Sequence, residues 1–206
     1  MLGFMVSLKQ MAGGIHHGFF FSFFHHRDYV RNGEFDRMLV RPVHPLLQIM
    51  ASSLDLSAIG EFLPGLVLFF LTCSRAAISW NLANVAFLVV VVLSGAVIEW
   101  AVYLFFSTFD FWLEGVEGLH WIPDAFRDST LYYPAHIYSR ALVAFITFVF
   151  PYAFIAYYPT LHFFQVEAGT FPVAFAYGTP VIALVATAIA VAFWSFGLRH
   201  YQSTGT

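Results

Sequence analysis

Long apolar runs separated by short polar stretches dominate this chain. A helix needs ~20 residues to cross the hydrocarbon core of a bilayer. The third and fifth runs reach this length unaided, the second and fourth need their flanks, and the first is interrupted by Lys9 and a histidine pair. The five runs are Gly3–Phe24, Ala58–Ile78, Val85–Phe106, Ala141–Tyr158 and Phe171–Phe196.

Membrane-spanning strands fit this pattern poorly. Strands of a barrel alternate apolar and polar positions over ~10 residues, whereas residues 86–93 read Ala-Phe-Leu-Val-Val-Val-Val-Leu. No soluble domain fits between the runs. The pattern therefore predicts an all-α fold: one polytopic membrane helix bundle with about five transmembrane helices, forming a single domain over residues 1–206.

Composition supports a membrane environment. Hydrophobic residues make up 60% of the chain and charged residues 10%, against about 45–50% and about 25% in soluble domains. A soluble fold of 206 residues could not bury this much apolar surface in one core, whereas lipid contact removes the need to bury it. A net charge of -3 excludes a generally basic nucleic-acid binder, so no nucleic-acid partner is expected.

Arginine placement predicts the orientation, because cytoplasmic loops of membrane proteins are rich in Lys and Arg. Four arginines follow the first run, so the loop at about 25–57 is predicted to be cytoplasmic. The loop at about 107–139 and the tail with Arg199 then lie on the same side, and the opposite side keeps only Arg75. A multi-pass protein of the cell membrane with a cytoplasmic C-terminus is expected. The four arginines are Arg27, Arg31, Arg37 and Arg41.

The first cytoplasmic loop has the marks of a short helical element. An Asn-Gly pair ending at Gly33 is a turn signal, and Glu34 and Asp36 then favour a helix N-terminus. Pro42 should end that helix, and residues 44–56 are amphipathic enough to lie in the interface. Taken alone, these residues are compatible with a solvated loop that maintains orientation or with a docking surface for a soluble partner.

The second cytoplasmic loop mixes acidic and aromatic side chains. Such a mixture predicts an interfacial element, and plain anchoring at the membrane surface is favoured over a specific site. The acids are Asp110, Glu114, Glu117, Asp124 and Asp128, and the aromatics are Phe111, Trp112, Trp121 and Phe126.

Residues 31–48 carry a longer motif. They read Arg-Asn-Gly-Glu-Phe-Asp-Arg-Met-Leu-Val-Arg-Pro-Val-His-Pro-Leu-Leu-Gln, which resembles the permeases of type-2 ATP-binding-cassette (ABC) exporters, in the branch with an R-x-G-E-[LF]-D-x-x-L-x-R-P loop. Three further stretches are similar in order and spacing: Phe-Asp-Phe-Trp at 109–112, Tyr-Pro-Ala-His-Ile-Tyr at 133–138, and Phe-Trp followed by Gly-Leu-Arg-His-Tyr-Gln-Ser within 193–203. The resemblance covers about residues 30–205.

The resemblance implies an architecture of six helices with both ends in the cytoplasm, paired as a homo- or heterodimer on two ATP-hydrolysing subunits. The loop between the second and third family helices faces those subunits, and here it is the arginine-rich loop. Since this chain begins about where the second family helix would lie, the first family helix is expected to be absent from it. The implied partner-coupling residues are Arg31, Gly33, Glu34, Asp36, Leu39, Arg41 and Pro42, and those implied in the second cytoplasmic loop are Phe111, Trp112, Tyr133, Pro134 and Tyr138.

The chain carries no machinery for ATP hydrolysis. It has no G-x-x-x-x-G-K-[ST] phosphate loop and a single lysine. We therefore expect a non-enzymatic permease subunit of an ATP-driven exporter, with ATP and magnesium bound by a partner ATPase and no cofactor on this chain. The expected partners are ABC ATPase subunits, a second permease subunit and membrane lipid. The substrate stays open, since lipids, amphipathic drugs and polysaccharides all use such exporters.

Individual residues inside the runs also suggest roles. Glu99 is the one charge deep in a clear membrane run, and such residues usually face a cavity or another helix. Glu99 is thus a candidate pathway or helix-contact residue, with snorkelling toward the cytoplasmic end as the alternative. Glu61 lies near an interface and is expected to be solvated. Gly14 and Gly18 form a small-xxx-small pattern typical of helix packing.

Nine histidines keep a different class of function open, an intramembrane metal-dependent enzyme. Neutral imidazole is a common metal ligand. However, side chains of adjacent helical residues point about 100° apart, so the pairs at 16–17 and 25–26 are poorly placed to hold one ion. A membrane scaffold without transport activity is the remaining alternative.

Overall fold

The computed structural model describes residues 1–20, 22, 26–52, 54–76, 78–113, 119, 121–131, 139–166 and 172–202. These residues form α-helices and 3₁₀-helices without any strand, which confirms the all-α prediction. The α-helices are α1 (Leu2–Phe20), α2 (His26–Arg31), α3 (Glu34–Leu39), α4 (Pro45–Ser52), α5 (Ile59–Cys73), α6 (Leu82–Ser107), α7 (Trp121–Leu131), α8 (Arg140–Phe148), α9 (Tyr157–Phe164) and α10 (Thr179–His200).

Three helical segments within the described ranges are long and apolar enough to cross a membrane: Leu56–Cys73, Leu82–Phe111 and Ala174–His200. Helix α8 and the segment Pro151–Phe164 meet the same condition together, with a bend of 77° between them. The count is therefore three or four, whereas the apolar pattern predicted five. Helix α1 is missing from either count, because it is helical over 19 residues but too polar to meet the condition; the count of three also leaves out the bent pair.

Helix α1 can be more polar than a lipid-facing helix because it lies at the centre of the bundle. It packs against α5 on one side and α6 on another, and Lys9 is only 1% exposed. Gly3 lies beside Thr72 and Gly18 beside Ala58, so α1 runs antiparallel to α5 over its whole length. At 1.5 Å per residue this is about 28 Å. Because protein surrounds α1, it does not need the apolar surface that lipid contact requires.

Two glycines allow α1 and α5 to approach closely. A Cβ atom at Gly14 would lie 2.6 Å from the Cβ of Phe62 and 2.8 Å from its backbone nitrogen. A Cβ atom at Gly65 would lie 3.1 Å from the backbone nitrogen of Met11. Small residues let helix backbones meet in this way, so the predicted glycine pattern lies in a real helix contact.

The fourth apolar run is broken at Pro151. Proline has no N–H to donate and its ring clashes with the preceding helical turn, so α8 ends at Phe148 and a 3₁₀-turn begins. The hydroxyl of Thr147 donates to the carbonyl of Val143 (2.6 Å) and lies 2.9 Å from the Tyr158 hydroxyl across the break. The predicted run 141–158 is thus two helices joined by a sharp bend.

The bent pair leads the chain from one end of the bundle to the other. Phe150, at the break, lies 5.7 Å from Phe106 near the C-terminal end of α6. Phe163, in α9, lies 5.8 Å from Phe87 near the N-terminal end of α6. Ring contacts at opposite ends of α6 indicate a broken span and not a re-entrant loop.

Helix α10 then runs parallel to α6. Tyr177, just before α10, is 5.2 Å from Phe87, and Phe193, near its end, is 4.7 Å from Phe105. The C-terminal ends of α6 and α10 therefore lie at one end of the bundle. The end of α1 lies there too, since Phe20 stacks at 5.3 Å on Trp100 of α6.

Candidate functional site

The arginine-rich loop folds into the short helices α2, α3 and α4. Gly33 has φ 68° and lies immediately before α3. This left-handed conformation favours glycine, which confirms the predicted turn. Helix α3 ends before Pro42, as predicted. Gln48 then fixes the α3–α4 turn, because its Nε2 donates to the carbonyls of Met38 (2.8 Å) and Val43 (2.7 Å).

The α3–α4 turn presents apolar and cationic side chains together. Val40 is 86% exposed, and its apolar neighbours Leu39, Val43 and Leu47 are also exposed. A single exposed apolar residue needs no explanation, but a contiguous patch next to charge is typical of an interaction surface. We call this patch the loop face; it consists of Leu39, Val40, Arg41, Pro42, Val43 and Leu47.

The other predicted coupling residues lie around the loop face. Arg31 and Glu34 are exposed, whereas Gly33 is buried and Asp36 is half-buried. Burial and the nearby Asp36 carboxylate raise the pKa of Tyr201 to about 12. The phenol of Tyr201 therefore stays neutral at pH 7, and Asp36 connects α3 electrostatically to the end of α10.

An aromatic cluster lies directly behind the loop face. Phe35 of α3 is fully buried, and its ring lies 5.3 Å from Phe111, 5.1 Å from Tyr201 and 6.4 Å from Trp194. Such ring pairs contribute ~0.5–1.5 kcal/mol beyond burial alone. The cluster joins the arginine-rich loop to the ends of α6 and α10. Although Phe35 stands inside the sequence motif, it was not among the residues predicted to matter.

The loop at 107–139, predicted to be cytoplasmic, contributes two of its predicted residues to this end of the bundle. Phe111 is buried in the aromatic cluster, whereas Trp112 is partly exposed and packs on Phe193 and Phe196 of α10. The remaining three predicted residues lie outside the described residues. They are Tyr133, Pro134 and Tyr138.

A buried polar pair forms a second connection between the two loops. His26, which begins α2, has its Nδ1 3.1 Å from Oδ2 of Asp110, in the 3₁₀-turn after α6. Both side chains are buried. Polar groups without water are costly unless they are paired, so this contact fixes α2 against the end of α6.

Two histidines of α1 also contact neighbours, one through a polar pair and one through ring stacking. The Nδ1 of His17 is 2.6 Å from Oε2 of Glu61, and the ring of His16 stacks on Tyr103 at 4.7 Å. His25 lies outside the described residues. In the part of the chain that the structure describes, no three His, Cys, Asp or Glu side chains come together in a way that could hold a metal ion.

Glu99, predicted to be a pathway or helix-contact residue or else to snorkel, lies inside the bundle, and its role stays a prediction. It is 0% exposed, and its Oε1 is 3.6 Å from Nε of Arg127. Arg127 also forms an ion pair with Glu61. The expectation that Glu61 is solvated is wrong, since its side chain is only 22% exposed. We call this group the charge cluster; it consists of His17, Glu61, Glu99 and Arg127.

Arg127 enters the bundle from α7, within the loop at 107–139. Burial lowers the pKa of its guanidinium, but the carboxylates of Glu99 and Glu61 outweigh this and raise it above the ordinary value. The side chain is therefore a buried cation. Sequence reasoning missed it, because one arginine among acids and aromatics gives no sign that its helix turns inward.

Two more polar contacts hold α7 against the bundle. Nζ of Lys9 on α1 donates to Oδ1 of Asp128 at 2.8 Å, and the hydroxyl of Tyr103 on α6 donates to the carboxylate of Asp124. The loop composition predicted plain anchoring at the membrane surface, and this stays a prediction; the contacts show in addition that α7 packs against the bundle. It is a packed element bound by charge to α1, α5 and α6.

A comparison with protein families places this arrangement in a known group. A family model described as "ABC-2 family transporter protein" matches residues 2–205. No curated protein and no solved structure matches the chain. The matched residues include the loop face, the aromatic cluster and the charge cluster.

Proposed function

This chain belongs to the ABC-2 family of transporter proteins, and on that premise we propose that it is the permease subunit of an ATP-driven exporter. Family membership makes it a non-catalytic membrane component of an ABC transporter that associates with ABC ATPase subunits. The proposal adds the direction of transport, ATP and magnesium on the partner, and a second permease subunit, either identical or different. It also adds a place in the plasma membrane with the C-terminus in the cytoplasm.

The observation that carries the proposal is the loop face. It combines exposed apolar side chains with Arg41 at the tip of a turn that Gln48 holds in shape. A surface of this kind fits a groove on a soluble subunit, where apolar burial supplies affinity and charge supplies specificity. The aromatic cluster packs directly behind the loop face. Because packed interiors transmit strain, a displacement of the loop face would also displace the aromatic cluster.

The coupling that we propose follows these contacts. Closure of an ATP-bound partner pair would favour one of two arrangements of the permease. Displacement of α3 would move Phe35 and, through Phe111 and Trp194, the ends of α6 and α10. The pair of His26 and Asp110 would carry the same displacement from α2 to α6. Packed cores switch between discrete arrangements more readily than they deform, so the helices would reorient as units.

Charge reversal and acid insertion on the loop face test this proposal. We expect Arg41→Glu and Val40→Asp to abolish co-purification of the ATPase subunit and to reduce ATP turnover of the complex to that of the free ATPase. The physical reason is that each change places a negative charge in an apolar and cationic contact. ATPase pull-down from co-expressing membranes, followed by turnover measurement, checks both effects.

Leu54→Asp is the matched control, because Leu54 is also apolar and largely exposed but lies outside the loop face. It should leave both association and turnover unchanged. A chain that never associates with an ATPase, or one whose association survives both loop-face changes, contradicts the proposal. Association without any effect on turnover would indicate a scaffold that does not transport.

A further inference from the structure

A cavity of about 360 Å³ opens beside the bend of the fourth apolar run, between α6, α8 and α10. Its volume falls in the range of ligand pockets, about 300–1,000 Å³, and suits one flexible chain. Every lining side chain is apolar. The lining includes Phe105 and Phe106 of α6, Phe150 and Pro151 at the bend, and Ala186 and Ala190 of α10.

The rim of this cavity faces the bilayer. Ile189 is 57% exposed, and Val185, Phe148 and Val149 on the rim are exposed as well. Helix α10 and the α8 pair are segments long and apolar enough to cross a membrane, so these exposed side chains are suited to contact with lipid. A polar molecule inside the cavity would lose water without gaining partners. The occupant must therefore be a hydrocarbon group that enters from the membrane.

Shape explains why the cavity does not collapse. The bend at Pro151 removes helix from one wall, and Ala186 and Ala190 leave space on the opposite wall. The ring of Phe150 is held in place, because it stacks at 4.6 Å on Phe126 and lies 5.7 Å from Phe106. The cavity wall is thus set by fixed aromatic contacts.

These contacts attach the cavity to α7. Phe126, which supports Phe150, is the neighbour of Arg127 in the charge cluster. The hydroxyl of Tyr152, one residue beyond Pro151, donates to the carbonyl of Pro123 at 3.2 Å. Any movement of α7 relative to α1 and α5 therefore changes the shape of the cavity. A cavity whose wall moves with α7 is suited to binding and then releasing a transported molecule.

From this geometry we infer that the cavity binds the hydrocarbon chain of an amphipathic export substrate that enters from the bilayer. The inference rests on the proposed function, since it assigns the substrate class of the same exporter. The cavity selects for an alkyl chain, and the polar part of the substrate stays at the membrane surface.

Photolabelling of the full chain in lipid nanodiscs tests binding without any need for transport. The probe is a long-chain alcohol that carries a terminal diazirine, and the labelled residues are mapped by mass spectrometry. We expect labels on 101–106, 148–151 and 182–190. Filling the cavity with Ala186→Phe, or blocking its rim with Val185→Trp, should weaken labelling about tenfold, because an overfilled site cannot admit a chain.

Ala188→Phe is the matched control, since Ala188 is exposed on the same helix but does not line the cavity. We expect Ala188→Phe to be labelled to the same extent as the native chain. Uniform labelling of all lipid-facing surfaces, or equal labelling of the filled and control variants, overturns the inference. So does cross-linking of Val185→Cys to a second copy, which would make the cavity a subunit interface.

ATP turnover of the assembled complex tests the substrate assignment separately. Alcohols of increasing chain length should stimulate turnover increasingly, in the native chain and in Ala188→Phe but not in Ala186→Phe. Labelling of the cavity with no effect on turnover would identify a resident lipid site and overturn the substrate assignment. Failure of the proposed function would be seen differently, as a chain that does not associate with an ATPase whatever the probe labels.

Discussion

At the scale of single residues, the charge cluster shows how much burial changes the role of a charge. Glu99 has no exposure, and neither of its carboxylate oxygens accepts a hydrogen bond among the described residues. Its compensation is the guanidinium of Arg127 at 3.6 Å. A lone buried charge is costly, whereas a buried pair is tolerated. The stability of this region therefore depends on the partnership and not on either residue alone.

Replacing Arg127 should expose this dependence. We expect Arg127→Gln to lower the stability of the solubilised protein by about 3–5 kcal/mol, because Glu99 is left as an unpaired buried carboxylate. Thermal unfolding monitored by tryptophan fluorescence measures the change. Arg75→Gln is the control, since Arg75 is exposed, and it should have little effect.

The double variant Arg127→Gln/Glu99→Gln separates pairing from packing. It removes the uncompensated charge as well as the cation, so it should be more stable than Arg127→Gln alone. Equal loss in the single and double variants would mean that Arg127 stabilises α7 only through Glu61 or through packing.

Single residues also show which contacts could be predicted from the sequence and which could not. Glu99 was identifiable because a single charge in a long apolar run demands a partner. Its partner, Arg127, could not be identified from the sequence, because Arg127 lies in a loop whose polarity indicated a surface position. The contact of His26 with Asp110 spans 84 residues, and no local pattern relates the two.

At the scale of elements, the contact between α1 and α5 is tight enough to test with one methyl group. In Gly14→Ala, the new Cβ would lie 2.6 Å from the Cβ of Phe62, so the helices would have to separate. We expect a loss of about 1–3 kcal/mol, as for overpacked cores. The midpoint of unfolding in a denaturing detergent is a suitable measure.

Gly60→Ala is the matched control on α5, because nothing lies within 4 Å of its Cβ position. Alanine is the better helix former by about 1 kcal/mol, so this variant should be neutral or slightly stabilised. If both variants behave alike, helix propensity and not packing governs this contact.

Most elements followed from the apolar pattern, and the exceptions have physical reasons. The third run was predicted as Val85–Phe106 and forms α6, Leu82–Ser107, because lipid contact requires an unbroken apolar surface. Pro151 stood inside the fourth run, but a proline alone does not give the size of a bend. The packing of α7 against the bundle was not predicted, because its inward face is recognisable only when the partners of Arg127 are known.

At the scale of the whole molecule, the ends of the helices fix which surfaces share a side of the membrane. Val40 and Ser74 lie beyond opposite ends of α5, so a membrane crossed by α5 separates them. Gln202 follows α10, whose end lies beside the end of α6 and that of α1. The loop face and the C-terminus are therefore expected on one side, and the arginine distribution predicts that this side is the cytoplasm.

Site-directed labelling with a membrane-impermeant maleimide tests this topology in whole cells. The single native cysteine, Cys73, is first replaced by serine so that each introduced cysteine is read alone. Val40→Cys and Gln202→Cys should react only after permeabilisation, whereas Ser74→Cys should react in intact cells. Reaction of Gln202→Cys from outside, with Val40→Cys protected, would mean that the bent pair does not cross, because α10 would then end on the opposite side from the loop face. The reverse pattern for all three would mean that the arginine-rich loop is outside, where no ATPase could reach it.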